Sequence, residues 1–425
     1  MNQKIHIQNE IEHCFGVMTM ASSGDIEEII SKLSSDKVKT REEGIKLLSN
    51  WLEGERSFGF CKILSGNTAK LKPNEIPHSK TWPFLIRVLI GCISSEISMS
   101  KKRPPKLIFA KTLRIAIQQA EDTKFSGKMQ LLLSVVKSLF SHIWEVLRDV
   151  PSYQSEYGTI LRHLIAVKDY RFHMRKRVYC GLVLLYLGKV ETCLDGKRNI
   201  QSNPKEEVFR CILTLHSLLE NPPGDFPDNL RKDIVKGFVG IFLHIRDEGK
   251  ISRKLIECIN TYLWKNGPNL DSEPMEIHSA VQEFVFRCWL TTHDRALKDA
   301  LVLYATLQLK LIRTAADGGH LVEQLLDIVG KDLDQSNIAS SAVLWGDTCR
   351  DDKPGMLTNL RCGLLELAAS LFYRACVNIG ISKASNSEKR PRREDAATRL
   401  RQGLIMVLDN FIKANCLNVV MVSLE

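Results

Sequence analysis

The sequence predicts an all-α protein, a HEAT-like α-solenoid of about nine or ten helix pairs. Three observations predict it. Apolar residues recur every three to four positions through most of the chain, as at Met129, Leu132, Val136, Leu139, Phe140, Ile143 and Leu147. Helix-stopping residues punctuate those stretches: Pro73, Pro77, Pro104-Pro105, Pro151, Asn221-Pro222-Pro223-Gly224, Asn266-Gly267-Pro268 and Lys353-Pro354-Gly355. No stretch combines strict two-residue alternation with hairpin turn pairs, so a sheet has little support. About fourteen helices without a long heptad run suit stacked pairs of ~40–47 residues each.

The elements follow in order. Residues 1–24 are polar with scattered apolar positions and read as a flexible N-terminal extension. Asp25, as N-cap with Glu28 three residues on, makes a weak capping box for a helix at 26–53. Helices at 81–99 and 106–121 flank Pro104-Pro105, and a helix at 126–148 ends before Pro151. Helices at 155–168 and 172–190 come next. A helix at 204–220 stops at the Asn221–Gly224 break, and those at 227–246 and 250–264 precede Asn266-Gly267-Pro268. Helices at 275–291, 293–314, 319–330, 356–379 and 395–417 complete the series. Residues 331–355 and 380–394 are polar and suit exposed loops between repeats. The last residues, Cys416 to Val422, provide no polar capping helix. The solenoid over 25–425 therefore reads as cut off before its C-terminal cap, a fragment or truncated product.

Composition narrows the function classes. A hydrophobic fraction of 44% and a charged fraction of 25% are ordinary for a folded chain of 425 residues. Fifty-nine Lys+Arg against 49 Asp+Glu give +10, which permits an acidic partner without demanding one. Twelve cysteines show no metal-ligand spacing; Cys211 and Cys288 sit in apolar runs and read as small buried hydrophobes. Such usage fits a reducing compartment, cytosol or nucleus. No secretory leader is present, and the longest apolar run, Val178 to Leu187, falls short of the ~20 residues that span a bilayer.

No catalytic constellation assembles. Ser126-Gly127-Lys128 lacks the upstream glycine and following Ser/Thr of a phosphate loop. Asp225-Phe226 leads into Pro227 rather than the glycine of a metal-holding kinase motif, and His293-Asp294-Arg295 only scrambles the catalytic-loop letters. His142 and His216 lie on apolar helices and read as structural. The expectation is a non-catalytic chain with no cofactor, no metal and no small-molecule substrate.

Three basic clusters stand out. Lys389, Arg390, Arg392 and Arg393, with Pro391 between them, form a compact run after a Ser/Asn-rich loop. Nuclear import receptors read such runs in extended form, and a solvated charged linker accounts for it equally. Tyr170 to Arg177 mixes aromatics with cations, as backbone-tracking nucleic-acid patches do. On a helix, Arg171 and Arg175 would share a solvated face while Phe172 and Tyr179 face the core. Lys101-Lys102-Arg103-Pro104-Pro105-Lys106 is an exposed inter-helix loop.

The sharpest pattern is LSSDKVKTREEGI, residues 33–45. Leu33, Lys37, Arg41 and Ile45 stand at steps of four and would form one helical ridge, a basic pair between apolar ends. That ridge resembles the N-terminal motif of the ataxia-telangiectasia-mutated (ATM) kinases and their telomere-length-maintenance relatives. The family pattern is aliphatic, basic, acidic-arginine and aliphatic; the acidic position is Thr40 here, with Glu42 and Glu43 just beyond. Residues 25–55 followed by Trp82-Pro83-Phe84-Leu85-Ile86 resemble the plant form, and Tyr157-Gly158-Thr159-Ile160-Leu161 resembles the next block.

The resemblance implies a segment of a large nuclear Ser/Thr kinase that responds to DNA double-strand breaks and maintains telomeres. It implies a partner-binding N-terminal solenoid whose kinase domain lies outside this chain. Leu33, Lys37, Arg41 and Ile45 become the expected partner-binding residues, and 389–393 falls where the family carries its import signal. Expected partners are proteins of the damage and telomere machinery, with weak or indirect DNA or chromatin association permitted and no membrane. Two rivals stay open: an unrelated HEAT-like adaptor, and a direct DNA-binding helical repeat.

Overall fold

In a computed structural model, residues 23–54, 81–99, 106–121, 133–195, 204–224, 228–245, 249–266, 273–311, 315–333 and 363–371 are described, with isolated positions between and beyond them. No strand occurs among the described residues. The helices are α1 (Ser23–Leu33), α2 (Val38–Glu53), α3 (Trp82–Met99), α4 (Leu107–Glu121), α5 (Leu133–Asp149), α6 (Gln154–Ala166), α7 (Lys168–Arg171) and α8 (Lys176–Leu194). They continue with α9 (Pro204–Glu220), α10 (Asp228–His244), α11 (Lys250–Asn266), α12 (Glu273–Thr291), α13 (Arg295–Leu311) and α14 (Ala315–Leu333). Residues 363–371 are also helical. Most boundaries lie within three residues of those expected from periodicity and punctuation.

Two departures have clear causes. The helix expected at 26–53 is two helices, because Ser34-Ser35-Asp36 offers the backbone side-chain partners that compete with helical hydrogen bonds. The Lys37 amide donates to Ser35 Oγ at 3.2 Å, and Lys37 itself is extended at φ −85°, ψ 122°. The helix expected from 172 begins at Lys176, after a turn that follows the short α7. Residues 331–333, expected in a loop, extend α14; the rest of 334–355 and all of 380–394 lie outside the described residues.

The chain divides into two compact units, Met1–Leu182 and Val183–Glu425. In the first, each helix packs on the next but one: α1 on α3 and α3 on α5, α2 on α4 and α4 on α6. Contacts of α1 with α2, α3 with α4 and α5 with α6 join these two layers. This is the packing of a solenoid, in which each pair buries its apolar stripes against its neighbours. Trp82, Phe109, Phe140, Tyr153 and Tyr157 are among its largest buried side chains. The second unit repeats the scheme, with α9, α11 and α13 in one layer and α12 packed on α10 and α14 in the other. Trp289, Tyr186, Tyr262 and Tyr304 are its largest buried side chains among the described residues.

By length and composition α3 could cross a membrane. It is instead a core helix of the first unit, burying Leu85, Ile86, Leu89 and Ile93.

Candidate functional site

The motif residues lie on an α-hairpin rather than on one ridge. Leu33 closes α1, Lys37 is the N-cap of α2, and Arg41 and Ile45 stand one and two turns further on. Gly44 lets the two helices approach: a Cβ there would lie 2.9 Å from Lys32 Cβ and 3.1 Å from the Leu33 nitrogen. Leu33 and Ile45 are buried, at 1% and 0% exposure. They pack inside the hairpin.

Arg41 also turns inward, against the expectation of a basic pair presented at the surface. It is 2% exposed. Its guanidinium pairs with Glu96 of α3, with Nη2 2.6 Å and Nε 2.7 Å from Oε1. Nη1 donates to the Ser35 carbonyl at 2.8 Å, and Nη2 reaches Met99 Sδ at 3.5 Å. One side chain therefore joins the inter-helix turn, the second helix of the first pair and the first helix of the next pair. A guanidinium suits this position because its fork of donors serves several acceptors in one plane. Desolvating such a charge is tolerated only with this degree of pairing. Burial pushes the nearby Cys92 thiol up to about 11, which Arg41 partly opposes. Cys92 is thereby kept as an uncharged thiol beside the pair.

Glu96 was not singled out by sequence reasoning, although the signal exists. Leu85, Leu89 and Cys92 lead to Glu96 at steps of four, three and four, so the acid lies on the apolar stripe of α3.

Lys37 is the one motif cation at the surface, beside the exposed Val38 and Lys39. Thr40, at the family's acidic position, is half-buried. The neighbouring Glu42 pairs with Lys106 just before α4, at 2.6 Å. Carboxylate chemistry at this corner thus serves the packing of α2 against α4.

The basic stretch 170–177 differs from expectation at one residue. Tyr179 is buried as the helical pattern requires, but Phe172 is 54% exposed because it belongs to the turn between α7 and α8. The Arg171 guanidinium lies 6.0 Å from the centre of its ring. Lys168, His173, Arg175, Lys176 and Arg177 are exposed around it. Lys389, Arg390, Arg392 and Arg393 lie outside the described residues, as do Lys101 to Pro105.

The two histidines read as structural have structural partners. His142 Nε2 is 2.8 Å from the Tyr157 hydroxyl, and burial pushes its pKa down to about 4. His216 Nε2 is 3.0 Å from Thr261 Oγ1, and burial likewise lowers its pKa. No cluster of His, Cys, Asp and Glu able to hold a metal occurs among the described residues.

Comparison with known proteins bears on this arrangement. Residues 26–179 match the family described as telomere-length maintenance and DNA damage repair. Over 388 residues the chain is 56% identical to the Arabidopsis thaliana serine/threonine-protein kinase ATM, covering 91% of this chain and 10% of that protein. The chain thus spans about a tenth of the length of this relative. A crystal structure of an engineered protein aligns over 93% of each chain at 13% identity, with a TM-score of 0.41. The α1–α2 hairpin from Ile26 onward, the Arg41–Glu96 pair and the basic turn before α8 fall within the matched segment. Residues 26–179 therefore resemble the telomere-length-maintenance and DNA-damage-repair family, and the chain as a whole is similar to about a tenth of an ATM kinase.

Proposed function

We propose that this chain is a partner-binding helical platform of an ATM-type kinase, acting in the double-strand-break response and telomere maintenance without catalysing phosphotransfer itself. The family match over 26–179 carries the reading. The stacked-pair architecture supports it, since such layers present long helical surfaces suited to protein partners. Within the motif the roles divide. Leu33, Arg41 and Ile45 set the hairpin's shape, and Lys37 with Lys39 contacts the partner.

Proximity labelling tests this reading, with the chain fused to a biotin ligase in Arabidopsis cells before and after ionising radiation. Damage-response proteins should be enriched after irradiation, and Lys37→Glu with Lys39→Glu should abolish the enrichment while helicity is unchanged. Equal labelling by that variant, or transfer of labelled phosphate from ATP by the purified chain, would refute the proposal.

A second reading, direct contact with DNA, is favoured by the exposed cations around Phe172. It requires binding that falls steeply between low and physiological salt. Binding that is absent, or indifferent to salt, removes it.

A further inference from the structure

A groove of about 590 Å³ opens on the α9–α11–α13 layer of the second unit. Its apolar surface includes two large side chains left open to solvent: Trp264 is 66% exposed and Leu303 is 47% exposed. Ala296 and Ala300 of α13 keep the floor low. Large exposed apolar residues grouped around a concavity mark an interaction site rather than ordinary surface.

Its polar groups give the occupant a sign. Asn260, also in the lining, is 4% exposed, and its Nδ2 donates to the Ala300 carbonyl at 2.8 Å. That bond fixes the amide orientation, because only the nitrogen can donate to a carbonyl. The Oδ1 atom is left buried with no hydrogen-bond partner. An orphaned buried acceptor is costly and calls for a donor from outside.

Asp299 and Glu220 also line the groove, and neither makes an ion pair among the described residues. Glu257 is already held by Lys254 at 2.7 Å. His216 is kept neutral by burial, so Lys265 is the lining's own cation. The groove therefore combines an unsatisfied acceptor, net negative charge and an exposed indole. Each of these favours a cationic donor with an apolar stem, and the acceptor and the negative charge disfavour a phosphate.

We propose that this groove docks a basic amphipathic segment of a protein partner, an arginine or lysine of that segment donating to Asn260 Oδ1 and pairing with Asp299. The stem of that residue and an apolar neighbour lie against Trp264 and Leu303. A helical segment fits, since its residues at steps of three and four can put a cation and an aliphatic side chain on one face. The proposal deepens the partner-binding reading. It concerns a surface remote in sequence from the motif hairpin, so the two are tested separately.

The test uses the full chain and a fluorescein-labelled peptide of about four helical turns, with a leucine stripe flanked by arginines. A matched peptide with glutamates in place of the arginines is the control. Fluorescence anisotropy should show saturable binding of the arginine peptide alone. Trp264→Ala and Asp299→Asn should each weaken it by about fivefold or more, while Lys137→Glu at an exposed position of α5 leaves it unchanged. Should Trp264→Ala alter helicity, Leu303→Ser and Asp299→Asn decide in its place, because both side chains point to solvent. Failure of the arginine peptide to bind, equal binding of the glutamate peptide, indifference to these variants, or displacement of the peptide by a single-stranded oligonucleotide overturns the proposal. Equal proximity labelling by the Lys37→Glu, Lys39→Glu variant, with intact peptide binding, would instead indict the hairpin reading alone.

Discussion

Replacing Arg41 tests the most consequential feature of the motif, its inward-facing guanidinium. Arg41→Ala strands the Glu96 carboxylate, whose side chain is 8% exposed, and frees the Ser35 carbonyl. Removing one partner of a buried ion pair costs about 3–5 kcal/mol, against about 0.2–1 kcal/mol for an exposed one. Replacing both partners, as Arg41→Met with Glu96→Leu, removes the stranded charge and should recover most of the loss. Global melting is a poor readout, because a chain of two compact units need not unfold in one step. Hydrogen exchange resolved by segment is better. Amides of α1, α2 and α3 should exchange about 10²- to 10³-fold faster in Arg41→Ala, since 1.4 kcal/mol is tenfold, while α11 to α13 serve as an internal control. A cost below about 1 kcal/mol would refute the buried clamp. A double variant as unstable as the sum of the two singles would refute the pairing itself.

Other outcomes follow from the same geometry. Gly44→Ala gains up to about 1 kcal/mol of helix propensity but sets a Cβ against near-backbone atoms that cannot swing away. It should therefore destabilise α1 and α2 by about 1–3 kcal/mol, read by the same exchange measurement, and a net gain would contradict the close approach. His142 titrates near 4 when folded against an ordinary 6.5. The folded value lies below the unfolded one, so its contribution is fully present above about 6.5 and is lost as the pH falls toward 4. Hydrogen exchange of α5 and α6, corrected for intrinsic rates, should show about 2 kcal/mol less protection at pH 5 than at pH 7, and His142→Gln should remove that part of the pH dependence. Finally, a fluorescent fusion of the chain should be nuclear and become cytoplasmic when Lys389, Arg390, Arg392 and Arg393 are all changed to alanine; unchanged imaging would leave the run a charged linker.

Most of the fold was legible in the sequence because helix boundaries here are decided locally. Pro151 and Pro222-Pro223 stop helices by their own chemistry, and the apolar period of α5 marks its buried side wherever the partner lies. The family resemblance was legible too, carried by Leu33, Lys37, Arg41 and Ile45 together with the blocks at 82–86 and 157–161. The break at Ser34 to Lys37 was readable in principle, given three residues that favour local side-chain bonds, but the steps of four on either side masked it.

Which way a charge faces was decided only by tertiary structure. Lys37 and Arg41 look equivalent in sequence, four residues apart on the same period. The first caps a helix in water, and the second meets Glu96, fifty-five residues away, inside the protein. Phe172 shows the reverse case: periodicity assigned it to the core, and a turn placed it outside. The groove at Trp264 and Asn260 was invisible for a related reason, since it is assembled from α9, α11 and α13, helices that meet only by stacking. Local propensity fixes where helices start and stop. Burial, and with it the meaning of a charge, depends on which distant residue the packing supplies.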